Sequence, residues 1–296
     1  MKRLFLFLII FIFLLSGCAR QEAPAQVAAT TLPVYEFTAR LCEGTDITVT
    51  RLVTENVSCL HDYSLNVRQV KAAEAAEVIV ISGAGLEEFM EDILHNKAVI
   101  DASVGIDLLE ISTVHTHEHE HGHEHGHDHD HEEDPHIWLS PAYAKSMAIN
   151  ICAGLCEQYP AHSNVFEQNL SMLIADLDAL EAYGQAQLST LHNHDLITFH
   201  DGFGYFAESF GLHILEAVEE ESGSEASAQE LKHLITVVQE HDLSAIFIET
   251  NGSVSAADVI SRETGAKMYA LDMAMSGDSY FDAMYHNINT IKEALG

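Results

Sequence analysis

Cations are scarce in this sequence. Thirteen Lys and Arg face 46 Asp and Glu over 296 residues, a formal net charge of −33. Losing Lys2 and Arg3 with the leader described below removes two positive charges and takes −33 to −35. No basic stripe offsets this, and so acidic a body is repelled by phosphate backbones, which excludes nucleic acid as a partner. Long apolar runs are lacking too. The leader's run, Leu4–Leu15, has 12 residues, short of the roughly 20 that a membrane-crossing helix requires. Cysteine is sparse, at five, with no CxxC spacing, and no GxSxG nucleophile motif occurs. Apolar residues, by contrast, make up 47% of the chain. That is enough for a sizeable core, so neither a disordered chain nor a disulfide-only scaffold fits. The length corresponds to about two average domains. Histidine is the over-supplied residue, at 20, and it directs attention to metal.

Met1-Lys2-Arg3 followed by Leu4–Leu15 has the pattern of a signal peptide, expected over residues 1–17. Leu15-Ser16-Gly17-Cys18 resembles the bacterial lipobox, in which the cysteine is lipidated and becomes the mature N-terminus. Residues 18–29 then read as the lipidated N-terminus and a small, polar tether. The expected location is extracytoplasmic, on the outer face of the cell membrane (the periplasmic side in a Gram-negative cell). The bilayer is held through acyl chains on Cys18, not through a transmembrane helix. Of the other cysteines, Cys152 and Cys156 lie one helical turn apart and read as buried free thiols. Export leaves a Cys42–Cys59 bridge open.

Short β-rich runs alternate with helical patterns. Strands are expected at Ile47–Val53, Val78–Ser82, Leu196–Phe199, Ala245–Glu249 and Lys267–Leu271, several of them apolar throughout, as in parallel sheets covered on both faces. Helices are expected at 229–241 and 256–264, the latter closed by Gly265. The alternation predicts an α/β fold with parallel sheets. Between the two strand groups, Phe166, Leu170, Leu173, Leu177, Leu180, Gly184 and Leu188 form one continuous helical stripe. It predicts a helix over Ser163–Leu191, about 43 Å long. Such a helix is a spine joining two lobes with a cleft between them: an N-terminal lobe over 30–160, the linking helix over 161–192 and a C-terminal lobe over 193–296.

Histidine occupies every odd position from 115 to 131: His115, His117, His119, His121, His123, His125, His127, His129 and His131. A period of two with Glu, Asp and Gly between suits neither a covered helix nor a core strand, so a surface loop is expected. It contains HExxH three times, but a metalloprotease needs that motif on a stable helix, and these overlap within a Gly-containing repeat. Imidazoles and carboxylates on such a loop bind zinc-like ions loosely and several at once. The tract therefore reads as a metal-collecting loop or as a merely solvated segment.

Four further sites follow expected strands or lie in turn-rich loops: His61 in Val57–Tyr63, His136 in Asp134–Pro141, His200 in Phe199–Tyr205 and Asp278 in Ser276–Tyr280. Ligands of open α/β sheets bind beyond the carboxyl ends of strands. Three imidazoles and one carboxylate form a four-coordinate set suited to zinc. Asp201 and Glu249 read either as partners that orient the imidazoles or as plain salt-bridge and capping residues.

These segments resemble the metal-binding receptors of bacterial ABC importers for zinc and manganese. The resemblance runs from about Val27 to Leu295 and is carried by Thr31-Leu-Pro-Val-Tyr35, His61, Gly83-Ala-Gly-Leu-Glu87, Asp134-Pro-His136-Ile-Trp138-Leu-Ser-Pro141, Phe199-His200-Asp201 with Tyr205-Phe206, Glu249-Thr-Asn-Gly-Ser253 and Gly277-Asp278-Ser-Tyr280. The DPHxWLxP run is the most specific. The resemblance implies two (β/α) lobes joined by one long backbone helix, with a metal site in the interlobe cleft, and an ABC permease as the partner of a monomeric receptor. His61, His136, His200 and Asp278 match the family's ligand positions. Manganese-selective members tend to carry a carboxylate where this chain has His200, and the His-rich insertion is typical of the zinc branch, so Zn2+ is expected over Mn2+. The chain departs from the pattern at Ser64-Leu65, where Glu-Pro is usual, and near Gly223–Ser227, which lacks the expected prolines. No enzyme is expected. The rivals are a manganese receptor of the same family, a zinc buffer or metallochaperone acting through the His-rich loop, and a secreted zinc hydrolase with three ligands, an open position and Glu249 as general base.

Overall fold

The structure, a computed structural model, describes residues 25–57, 60, 63–110, 133–218, 226–250, 252 and 254–296. The leader with Cys18, Cys59, His61 and the whole of His115–His131 lie outside the described residues.

Two four-stranded parallel sheets carry the fold. The first has strands β1 (Val27–Ala29), β2 (Val49–Arg51), β3 (Val78–Ile81) and β4 (Ala98–Asp101) in the order β2-β1-β3-β4. The second has β5 (Asp195–Thr198), β6 (His213–Ala217), β7 (Ala245–Glu249) and β8 (Lys267–Leu271) in the order β6-β5-β7-β8. Each lobe thus repeats one topology, stepping outward once from its first strand and then twice in the other direction. Val27–Ala29, within the stretch read as tether, is fully buried as the central strand β1. Strands β1, β4 and β6 had no individual signal: they are three to five residues long, too short to show a period.

Helices α1 (Leu32–Leu41), α2 (Val67–Ala75) and α3 (Glu91–Leu94) complete the first lobe's crossovers. After them come α4 (Pro141–Gln158) and the linking helix α5 (Ser163–Leu188). The C-terminal crossovers are α6 (Gly204–Phe210), α7 (Ala228–Glu240), α8 (Ser255–Thr264) and α9 (Tyr280–Leu295). Sequence-local caps start several of them. Asn66 and Ser227 each close a capping box, with Gln69 and Glu230 reaching back to the cap N–H.

The linking helix ends at Leu188, three residues before the expected Leu191, because Ser189 already serves as its C-cap. Leu191 still packs into the core beyond the helix end. The stripe is buried at Phe166, Leu173, Leu177, Leu180, Gly184 and Leu188, with Leu170 half-buried. It packs against α4, α1 and the final helix α9, so one continuous apolar core runs through both lobes. Cys42 and Cys152 are buried free thiols, and desolvation pushes both up to about 12. At that value they are inert as nucleophiles.

Candidate metal centre

His136 is positioned by its own neighbours. In Asp134-Pro135-His136 the Asp134 carboxylate turns back on the chain, and Oδ1 accepts the His136 backbone N–H at 2.9 Å. The same oxygen lies 2.7 Å from His136 Nδ1. An ionised carboxylate only accepts, so it holds the imidazole proton on Nδ1 and leaves Nε2 as a lone pair. The ring then abuts Trp138 edge-on at 5.3 Å. Trp138 is itself locked across the lobe junction, its Nε1 donating to Met273 O at 2.7 Å.

His200 arrives from the other lobe, two residues beyond β5. It is tethered differently, by a residue distant in sequence: Glu249, the last residue of β7, brings Oε1 to 3.4 Å from His200 Nδ1. All four groups are at least 95% buried. The two imidazoles cross at 88° with centroids 5.0 Å apart, and their Nε2 atoms face each other at 3.3 Å. When both ring protons lie at Nδ1, the two facing nitrogens offer their lone pairs to a cation between them. The spacing matches that chemistry. Two imidazole nitrogens at zinc bond lengths of 2.0–2.1 Å and a tetrahedral angle stand about 3.3–3.4 Å apart.

Gly202 makes the convergence possible, and sequence reading passed over it. A Cβ there would lie 2.7 Å from His200 Cδ2, 2.7 Å from Met273 Cε and 2.9 Å from His136 Nδ1. Only a residue without a side chain lets the backbone lie against both rings. The sole hint in the sequence is its place in Phe199-His-Asp-Gly.

Of the remaining expected ligands, His61 lies outside the described residues and Asp278 is exposed in the loop before α9. Among the described residues no group of three or more His, Cys, Asp or Glu is close enough to hold a metal. The structure therefore brings together His136 and His200 and leaves Asp278 apart from them. Of the two residues read as orienting partners or plain structural ones, Glu249 faces an imidazole, whereas Asp201 is half-buried beside His200 in sequence.

The sequence profile of the family described as "ZnuA: Zinc-uptake complex component A periplasmic" matches residues 27–294. The chain belongs to this family. Its relatives include the high-affinity zinc uptake system protein ZnuA of Bacillus subtilis, 31% identical over 282 residues, covering 91% of this chain and 87% of that protein. A putative metal-binding protein of Treponema pallidum is 29% identical, covering 96% and 93%. A crystal structure of ZnuA superposes with a TM-score of 0.79 at 30% identity, covering 92% of this chain and all of that one. The two-lobed α/β architecture with its linking helix is thus the family's fold.

Proposed function

We propose that this chain is an extracytoplasmic receptor that captures Zn2+ between its lobes and delivers it to an ABC-type importer in the membrane. The observation that carries the reading is the buried pair of Nε2 atoms at zinc-compatible spacing, each backed by a carboxylate at Nδ1. Carboxylate-backed imidazoles are the usual metal-ligating arrangement. Imidazole at position 200 favours zinc over the harder manganese. His61 supplies the third nitrogen and Asp278 the carboxylate. Asp134 and Glu249 orient the rings. The His-rich segment, His115–His131, collects metal loosely and feeds the cleft, and acylated Cys18 keeps the receptor at the bilayer beside its permease. The process is binding without bond-making: neutral imidazoles and an ionised carboxylate hold the ion, so acid competes with it.

The test is metal content and chelator competition on the soluble chain from Arg20 onward lacking residues 115–133. One tightly held zinc, lost in H200A, is expected. Loss of tight binding with the loop alone would overturn the cleft as the site and favour a buffer, and several weak ions in its place would do the same.

A further inference from the structure

The loop between β8 and α9 carries Asp278 and is gripped from the opposite lobe at successive points. Leu32 N donates to Met275 O at 3.2 Å. Ser276 Oγ donates to Asn56 Oδ1 at 2.8 Å. Arg51 Nη1 donates to Gly277 O at 2.8 Å, its guanidinium 5.9 Å from the Tyr35 ring centroid. Tyr280 N donates to Glu36 Oε2 at 2.6 Å. Asp278 therefore sits between the Arg51 and Glu36 attachments. Asn56, for its part, precedes His61 in the same inter-element segment. Two segments that hold expected ligands, one from each lobe, are thus fastened directly to one another.

The loop's own backbone does not explain its shape. Ala274 and Gly277 both have positive φ, 53° and 96°, a region that costs a non-glycine residue energy and is kept only where surroundings impose it. Gly277 adopts it freely and turns its carbonyl to Arg51. A guanidinium donor makes that bond charge-assisted and stronger than a neutral one. Glu36 meets an otherwise orphaned N–H in the first turn of α9, where a carboxylate also suits the helix dipole.

We infer that Arg51, with Asn56 and Glu36, forms an interlobe latch: positioning residues that hold the Asp278 loop on the first lobe and slow the escape of captured zinc. The inference rests on the zinc-capture reading above. Opening the cleft at this end requires breaking the Arg51–Gly277 and Asn56–Ser276 hydrogen bonds.

The experiment is stopped-flow zinc dissociation into excess chelator, using the full soluble chain with its His-rich segment. R51M keeps the aliphatic stem and removes the donor. It should speed dissociation about tenfold, the weight of one charge-assisted hydrogen bond, with the single tight zinc retained. R51K should restore part of the slow rate. In a D278A background, R51M should add nothing, because the latch works through that residue. An unchanged or slower dissociation rate in R51M overturns the latch, and so does an equal acceleration in both backgrounds, which marks a general loss of stability. Tight zinc retained by H200A would instead overturn the cleft reading, and the latch with it.

Discussion

The two lobes repeat one strand order, yet their equivalent positions have opposite fates. At the carboxyl ends of β1 and β3, the crevice where such sheets bind ligands, the first lobe buries Glu87. Its Oε1 accepts Thr30 Oγ1 at 2.6 Å and Ser82 N at 2.8 Å, and Oε2 accepts Gly83 N at 3.0 Å. Thr31 and Ser82 hydroxyls pair beside it at 2.9 Å. The carboxylate is consumed internally. At the matching ends of β5 and β7, the second lobe buries Glu249 against His200 Nδ1, and the imidazole's far nitrogen is left directed at His136. Identical topology therefore makes a crevice closed on its own hydrogen bonds in one lobe and, in the other, one that turns an imidazole toward the opposite lobe. The difference lies in what faces the carboxylate. Hydroxyls and backbone N–H groups end the chain of interactions, whereas an imidazole relays it to a second nitrogen.

The comparison can be broken most forcefully at the second lobe's crevice. H200A or H136A should weaken zinc more than about 100-fold in chelator competition, since loss of a ligand exceeds the roughly 10–100-fold cost of losing an outer partner. E249Q should fall within that 10–100-fold range, with one zinc still bound, and D134N likewise. G202A forces a methyl group between two rings and Met273. It should weaken zinc and also lower apo-protein stability by about 1–3 kcal/mol, the range for overpacking a filled core, as read by urea denaturation. The first lobe's crevice should respond only to pH. Desolvation raises the Glu87 pKa from 4.5 to about 7, against the pull of Thr30, Ser82 and Gly83. Between these values the folded chain keeps a proton that the unfolded chain has released. The Glu87 contribution is thus fully present below about pH 4.5 and is lost as pH rises through 7, on the order of 3 kcal/mol. E87Q should flatten the stability profile across that window and leave zinc affinity unchanged. A changed affinity would show that the first lobe's crevice is not sealed from the site.

Much of this was legible in sequence wherever contacts are local. The strand runs 245–249 and 267–271 lie where their β-rich composition puts them. The helical stripe of α5 is visible because 3.6-residue periodicity survives over seven turns. Asp134 and His136 are two residues apart, so the carboxylate that orients the first imidazole could be read from DPH itself. Glu249 could be nominated but not decided between orienting and capping, because its partner His200 is 49 residues away and the pairing depends on β5 and β7 being neighbours. Gly202 was missed for the same reason, since its crowding comes from His136 and Met273 of other segments.

What the sequence by itself determined is the alternation of strands and helices, the long linking helix and the placing of single imidazoles in the DPH and FHD runs. Periodicity, turn chemistry and short-range hydrogen bonding act within a few residues and leave their mark on the order of the side chains. Only the tertiary structure decided which crevice turns an imidazole toward the opposite lobe. It set the 3.3 Å approach of His136 and His200 Nε2, assigned Glu249 to an imidazole and Glu87 to hydroxyls, and fastened Arg51 to the loop of Asp278. Those outcomes depend on which strand ends become neighbours and how closely two lobes pack, which no local pattern encodes.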